Sequence, residues 1–303
     1  MRGPALAVGL MMAVAASARA QEVPIGPKAN AAWSVLKSGD RRGATELERL
    51  AAEGDADAQF LIGSMAFSGE EGYPRDKARA CRLWGAASGK RADAAHLTAE
   101  CVQHGHDGVR PDPVRARGLF EAAAAMGFAK SKCALGNMLV TGEGGPADPP
   151  RGVALCRQAA EAGDPDAQTD VANYYLMGQG VARDPALAAR FYQQAADKGQ
   201  AVAALTLGQM YWNGDGVPKD RARSAEYWRM AYRAGRKEAA ALLGDEAFLR
   251  AVPPGPAGTP KVNPAALDEG IGWYERALRE DPDSAARVGE RLRTLRDLRA
   301  RLP

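Results

Sequence analysis

Four cysteines, three histidines and one Ser-x-x-Lys string are the side chains best suited to chemistry in this 303-residue chain. Cys81, Cys101, Cys133 and Cys156 form an even set. In an exported protein that number favours disulfides, with three connectivities possible and buried unpaired thiols as the alternative. His104-Gly105-His106-Asp107 gathers three side chains able to hold a metal, with His96 a few residues earlier. No further ligand follows at a spacing that zinc sites use, so neither a metal nor another cofactor is expected. Ser34-Val35-Leu36-Lys37 sets a hydroxyl and an amine one helical turn apart, the arrangement of a lysine-activated serine nucleophile. No Lys-Thr-Gly or Ser-Asp-Asn string accompanies it, and no catalytic residue is expected.

The elements that carry these residues recur with a fixed period. Asp40, Asp76, Asp112, Asp148, Asp184 and Asp220 stand 36 residues apart, the mark of stacked structural units. Eleven residues after each comes Ala51, Ala87, Ala123, Ala159, Ala195 or Ala231, and eight after the last five comes Trp84, Phe120, Cys156, Tyr192 or Trp228. Gly72, Gly108, Gly144, Gly180 and Gly216 precede those five aspartates by four.

Each unit reads as a helix hairpin. The aspartate accepts from free amides at the start of the second helix, and Pro113, Pro149 and Pro185 follow where a missing N–H costs nothing. Gly127, Gly163, Gly199 and Gly235 end that helix. Small residues recur in the first helix at Gly63, Ala99, Gly136, Ala172, Gly208 and Gly244, and in the second at Ala80, Ala116, Gly152, Ala188 and Ser224. They let helix axes approach while the aromatics fill the space between units. The expected fold is all-α, a right-handed α-solenoid of stacked antiparallel helix hairpins. By this geometry Cys81 and Cys101 lie on consecutive antiparallel helices, as do Cys133 and Cys156, so Cys81–Cys101 and Cys133–Cys156 are the preferred pairs.

Asp220 to Gly235, DRARSAEYWRMAYRAG, and Ala201 to Val217, AVAALTLGQMYWNGDGV, resemble the Sel1-like repeat, whose unit runs A-x-A-Q-x-x-L-G-x-x-Y, a G-x-G-V turn, then D-x-x-x-A-x-x-W-Y-x-x-A-A-x-x-G. Five such units cover residues 56–235, after a leading hairpin within 21–55. Residues 236–303 hold a degenerate repeat, a Pro/Gly linker at Pro253–Pro260 and C-terminal capping helices. Cysteine-rich members of the family place their disulfides at other positions of the unit, so the alternatives for the four cysteines stay open. By the arrangement of the related tetratricopeptide repeats, the residue after the small Gly or Ala of the first helix points into a concave groove. Here it is Ser64, Glu100, Asn137, Asn173 and Gln209, flanked by Phe60, Phe67, His96, Gln103, Thr169 and Trp212. Three carboxamides spaced 36 apart can donate to and accept from the backbone of an extended peptide, or bond within the array.

The resemblance thus implies a non-enzymatic scaffold that binds an envelope protein or peptide as a monomer. Some secreted relatives are linked to β-lactams, which makes a β-lactam- or cell-wall-interacting protein the alternative. Lys plus Arg total 40 against 37 Asp plus Glu, too close to balance for bulk attraction to nucleic acid or anionic membrane. Arg2, the apolar run Ala5 to Ala16 and Ala18-Arg19-Ala20 form a signal peptide expected to be cleaved after Ala20, giving a periplasmic or secreted protein with no membrane span. Near the C-terminus Val288, Leu292, Leu295 and Leu298 fall on one helical face among six arginines, fit to cap the array or to lie on a membrane or partner.

Overall fold

The computed structural model describes residues 23–105, 108–252, 262–281 and 284–302. The expected signal peptide, His106 with Asp107, and the expected Pro/Gly linker lie outside the described residues. Fifteen α-helices follow one another among the described residues, with no β-sheet. They are α1 (Pro27–Lys37), α2 (Arg42–Ala52), α3 (Ala56–Ser68), α4 (Lys77–Ala87), α5 (Ala92–His104), α6 (Pro113–Ala125), α7 (Ala129–Thr141), α8 (Pro149–Glu161), α9 (Pro165–Met177), α10 (Pro185–Asp197), α11 (Ala201–Asn213), α12 (Arg221–Arg233), α13 (Ala239–Ala251), α14 (Pro264–Glu280) and α15 (Ala285–Ala300). The architecture is an α-solenoid of antiparallel hairpins. Two compact units divide it within α9, one of residues to Ala167 with Gln179–Ala182, the other of Gln168–Gly178 with Arg183 onward.

The recurring aspartates close each hairpin twice. Asp76, Asp112, Asp148, Asp184 and Asp220 accept from the backbone N–H three residues on, at 2.8 to 3.2 Å. Their own N–H groups donate back to the first helix, to Ala66, Val102, Leu139, Tyr175 and Tyr211 carbonyls at 2.7 to 2.9 Å. Asp40 departs from the series: Arg41 is the N-cap of α2, and Asp40 accepts instead from Arg42, two residues on. The turn glycines meet a different constraint. A Cβ on Gly144 would stand 2.2 Å from the Pro113 carbonyl oxygen, and one on Gly216 would stand 2.4 Å from that of Pro185. Both have positive φ, so no other residue fits the turn against the preceding helix start.

Within hairpins, packing matches volume with volume. Trp84 and Trp228 are buried against Gly63 and Gly208, where an added Cβ would come within 2.5 to 2.6 Å of the indole. The smaller Phe120 and Tyr192 occupy the same register in units whose first helix carries Ala99 or Ala172. Cys156 has no bulk to separate its helices; Gly136 and Gly152 bring α7 and α8 to backbone contact, and a disulfide joins Cys156 to Cys133 with Cα atoms 4.0 Å apart. Cys81 and Cys101 join α4 to α5 across 6.0 Å between Cα atoms, so all four cysteines are paired as the hairpin geometry favours. At the C-terminal end Val288, Leu292 and Leu295 are buried against Leu267, Tyr274 and Ala277 of α14 and Ala240 of α13, with Leu298 packed at the margin. Arg291, Arg296 and Arg299 pair with Asp245, Glu275 and Asp268. The basic face of α15 is therefore partly neutralised by the helices it covers.

Candidate functional site

The five residues that follow the small position of each first helix are polar, and their surroundings differ from repeat to repeat. Ser64 on α3 donates to the Phe60 carbonyl at 3.0 Å, within its own helix. Glu100 on α5 is exposed and sits 3.5 Å from His96 Nε2. Burial alone would raise its carboxyl, but the hydrogen bond from His96 and the charges of His96, Lys130 and His104 outweigh that and hold it below the usual range. Asn137 on α7 is half-buried, its Oδ1 3.2 Å from Cys156 Sγ. A disulfide sulfur carries no proton, so this amide packs against the bridge rather than accepting from it.

In the second unit, Asn173 on α9 accepts from the hydroxyl of Tyr192 on α10. That tyrosine is fully buried, and desolvation with the nearby Asp170 charge pushes its pKa up to about 12, so it stays a donor that needs an acceptor. Gln209 on α11 is half-buried and donates to Asn213 at 3.3 Å along the same helix face. Trp212 tilts against Trp228 with ring centroids 5.3 Å apart, under the Arg221 guanidinium. Thr169 on α9 is half-buried.

The flanking residues of the first unit divide into surface and packing roles. Phe60 and Phe67 on α3 are half-buried; the Arg91 guanidinium lies over the first ring at 4.5 Å, and Lys77 over the second at 5.6 Å. Gln103 donates to Glu143 at 2.9 Å, tying α5 to the turn after α7. His96 is buried between Phe120 and Phe128, with Nδ1 2.9 Å from the Ser131 hydroxyl. Its place is interior packing rather than an open face.

Among the described residues the other chemical candidates are not brought together. Ser34 is exposed on α1 and donates its proton to the Asn30 carbonyl at 2.8 Å, while the Lys37 ammonium lies over the Trp33 ring at 4.8 Å. His104 is exposed at the end of α5, away from the buried His96. One side chain that sequence reasoning passed over is Arg91, 3% exposed, which pairs with Asp57 and Asp93 and donates to the Val23 and Pro24 carbonyls at 2.9 and 3.2 Å. It clamps the leading segment onto the start of α5. The only signal was an arginine where neighbouring repeats have a cap or an apolar residue.

The sequence profile of the Sel1 repeat matches residues 56–88, 92–128, 129–164, 165–200 and 201–235. The chain belongs to the Sel1 repeat family. No curated protein matches it. Among solved structures, it is similar to a Sel1 repeat protein from Oxalobacter formigenes, at 25% identity and TM-score 0.67, over 83% of this chain and 97% of that one. It also shares its fold with c5321, a protective antigen present in uropathogenic Escherichia coli strains, at 22% identity and TM-score 0.70. That match covers 86% of this chain, which spans only 55% of the antigen. Sel1 repeats are typically protein-interaction scaffolds, and no described helix here is long and apolar enough to cross a membrane.

Proposed function

We propose that this Sel1 repeat chain is a non-enzymatic scaffold of the cell envelope, periplasmic or secreted, that binds a protein or peptide through the first helices of its repeats. The observation that carries the reading is the polar register position held by Ser64, Glu100, Asn137, Asn173 and Gln209 in five successive repeats, beside half-buried aromatics. A position buried only for packing would be apolar, as Gly63, Ala99, Gly136, Ala172 and Gly208 beside it are. Export is supported by the signal-like N-terminal sequence and by two disulfides, which persist in oxidising compartments.

The test is capture from periplasmic extract with mass spectrometry, followed by calorimetry on the partner identified. Changing Asn137, Asn173 and Gln209 together to Ala should weaken binding by about 2 to 4 kcal/mol, at about 0.5 to 1.5 kcal/mol for each lost hydrogen bond. Helical circular dichroism should persist, while the melting temperature falls modestly because Tyr192 loses its acceptor. Undiminished binding by the folded triple variant would remove this face from consideration. The same protein should neither turn over a chromogenic β-lactam nor be acylated by a labelled penicillin, since Ser34 faces a carbonyl instead of a base.

A further inference from the structure

A cleft of about 700 Å3 lies among α4, α5 and the start of α6, away from the polar register just described, and its lining includes Arg82, Gly85, Thr98, Val102, Arg110 and Arg115. All three arginines are exposed and form no ion pair among the described residues. Asp112, also at the rim, is committed by one oxygen to the N–H of Arg115 as the cap of α6. Among the described residues the cleft therefore carries three guanidinium groups against the single Asp112 carboxylate, in a chain whose overall charge is close to balanced.

Comparison with its neighbours in the same array explains the excess. Arg79, Arg115 and Arg151 occupy one register position, three residues after the capping aspartate. Arg79 reaches both carboxylate oxygens of Glu48 on α2, at 2.7 and 2.9 Å. Arg151 pairs with Glu121 on α6 at 3.6 Å. One 36-residue period before Glu121 stands Gly85, and one period after Glu48 stands Trp84, so neither position that supplies a carboxylate to the neighbouring arginines is acidic beside Arg115, and at Gly85 the space is left open. The helix has no steric need for glycine there: an added Cβ would meet only Thr98 Cγ2, at an ordinary 3.7 Å, and φ is not positive.

We infer that this cleft is a binding site for a carboxylate-bearing ligand, an aspartate- or glutamate-rich peptide segment, which takes the place of the glutamate missing at position 85. Carboxylate is the favoured anion because carboxylates satisfy the arginines at the same register in the repeats on either side. Arg82, one turn before Gly85 on α4, and Arg110 on the turn before α6 supply further charge-assisted hydrogen bonds to a second acidic side chain.

The experiment titrates the full chain with an acetylated, amidated hexapeptide of alternating aspartate and glycine, and with its asparagine–glycine counterpart, by calorimetry at low and physiological salt. The acidic peptide should bind with an affinity that falls as salt rises, and the asparagine peptide should not bind. Gly85→Glu restores the intramolecular carboxylate; it should weaken the acidic peptide by about tenfold or more while leaving the melting temperature unchanged or raised. Arg115→Gln, an exposed change with no packing consequence, should weaken it similarly and serves if the first variant does not fold. Absence of binding by the wild-type protein, full-strength binding by the folded Gly85→Glu and Arg115→Gln variants, or inorganic phosphate competing as strongly as the peptide would each overturn the inference. None of these results depends on the polar register of the first helices.

Discussion

At the scale of single residues, the repeated aspartate does more than its capping geometry alone requires. Asp184 accepts from Leu187 N–H at 2.9 Å and donates its own N–H to Tyr175 at 2.8 Å, so one exposed residue starts α10 and holds the end of α9. Asp184→Ala keeps the backbone bond but loses the cap, and should destabilise the protein by about 0.5 to 2 kcal/mol in urea melts. Glu226→Ala, an exposed change on α12, is the control and should shift the midpoint little. Equal midpoints for the two variants would show that water satisfies these amides as well as the carboxylate does. These caps were legible because their side chains act within three residues of their own position. The polar partners of Asn173 and Gln103 were not, since Tyr192 reaches the first from another helix and Glu143 the second from the turn after α7, and no local pattern encodes that reach. Arg91 was missed for the same reason: its hydrogen-bond partners lie 34 residues or more upstream, apart from Asp93.

At the scale of elements, the fit between a small residue on the first helix and a large one on the second sets the spacing of each hairpin. Gly208 lies under Trp228, where a methyl group would stand 2.5 Å from Cδ1 of a ring that is 1% exposed and has no room to withdraw. Gly208→Ala improves helix propensity by close to 1 kcal/mol, yet overpacking costs about 1 to 3 kcal/mol, so the net effect should be destabilising. Adding Trp228→Phe should recover part of the loss, because Ala99 with Phe120 is that combination in a native repeat. If Gly208→Ala raises the melting temperature, the hairpin is looser than its packing indicates. The same matching made the hairpins and both cysteine pairs readable from spacing, whereas the leading hairpin, with Arg41 as cap in place of Asp40, was read less well. Electrostatics also joins elements near the C-terminus. Glu269 on α14 accepts from Arg229 on α12 at 2.9 Å and Arg250 on α13 at 2.6 Å. Burial alone would raise its carboxyl, but the two guanidinium bonds outweigh it and hold the pKa below the usual glutamate range. A carboxyl depressed in the folded state stabilises at pH above its unfolded value and loses that contribution as pH falls through the folded one. Wild-type stability should therefore fall more steeply than that of Glu269→Gln as pH drops below about 4.5, the ordinary glutamate value, and the variant starts lower at pH 7. Parallel pH profiles in thermal melts would assign the acid loss to other carboxylates.

Across the whole molecule, a repeat array gains stability mainly from each hairpin's contact with the next, so its terminal elements must present one face to a neighbour and another to water. Among the described residues α15 has two such faces, as a capping helix would need. Val288, Leu292 and Leu295 of α15 are buried on α13 and α14, and three arginines of the same helix pair with acidic residues of those two helices. A helix meant to lie on an anionic membrane would instead keep its basic residues unpaired beside an exposed apolar face. Deleting residues 284–303 uncovers Leu267, Tyr274 and Ala277, all fully buried in the intact chain, and leaves Asp245, Asp268 and Glu275 without their arginines. Burying a side chain of leucine size contributes about 1.5 to 3 kcal/mol, and three such residues leave with the helix. The truncated protein should therefore melt several degrees lower and aggregate at concentrations where the intact chain remains dispersed, while circular dichroism shows the upstream helices still formed. Vesicles containing phosphatidylserine should bind neither form. If truncation leaves the melting temperature and dispersal unchanged and abolishes vesicle binding that the intact chain displays, α15 is a surface-binding helix and the array ends on α14.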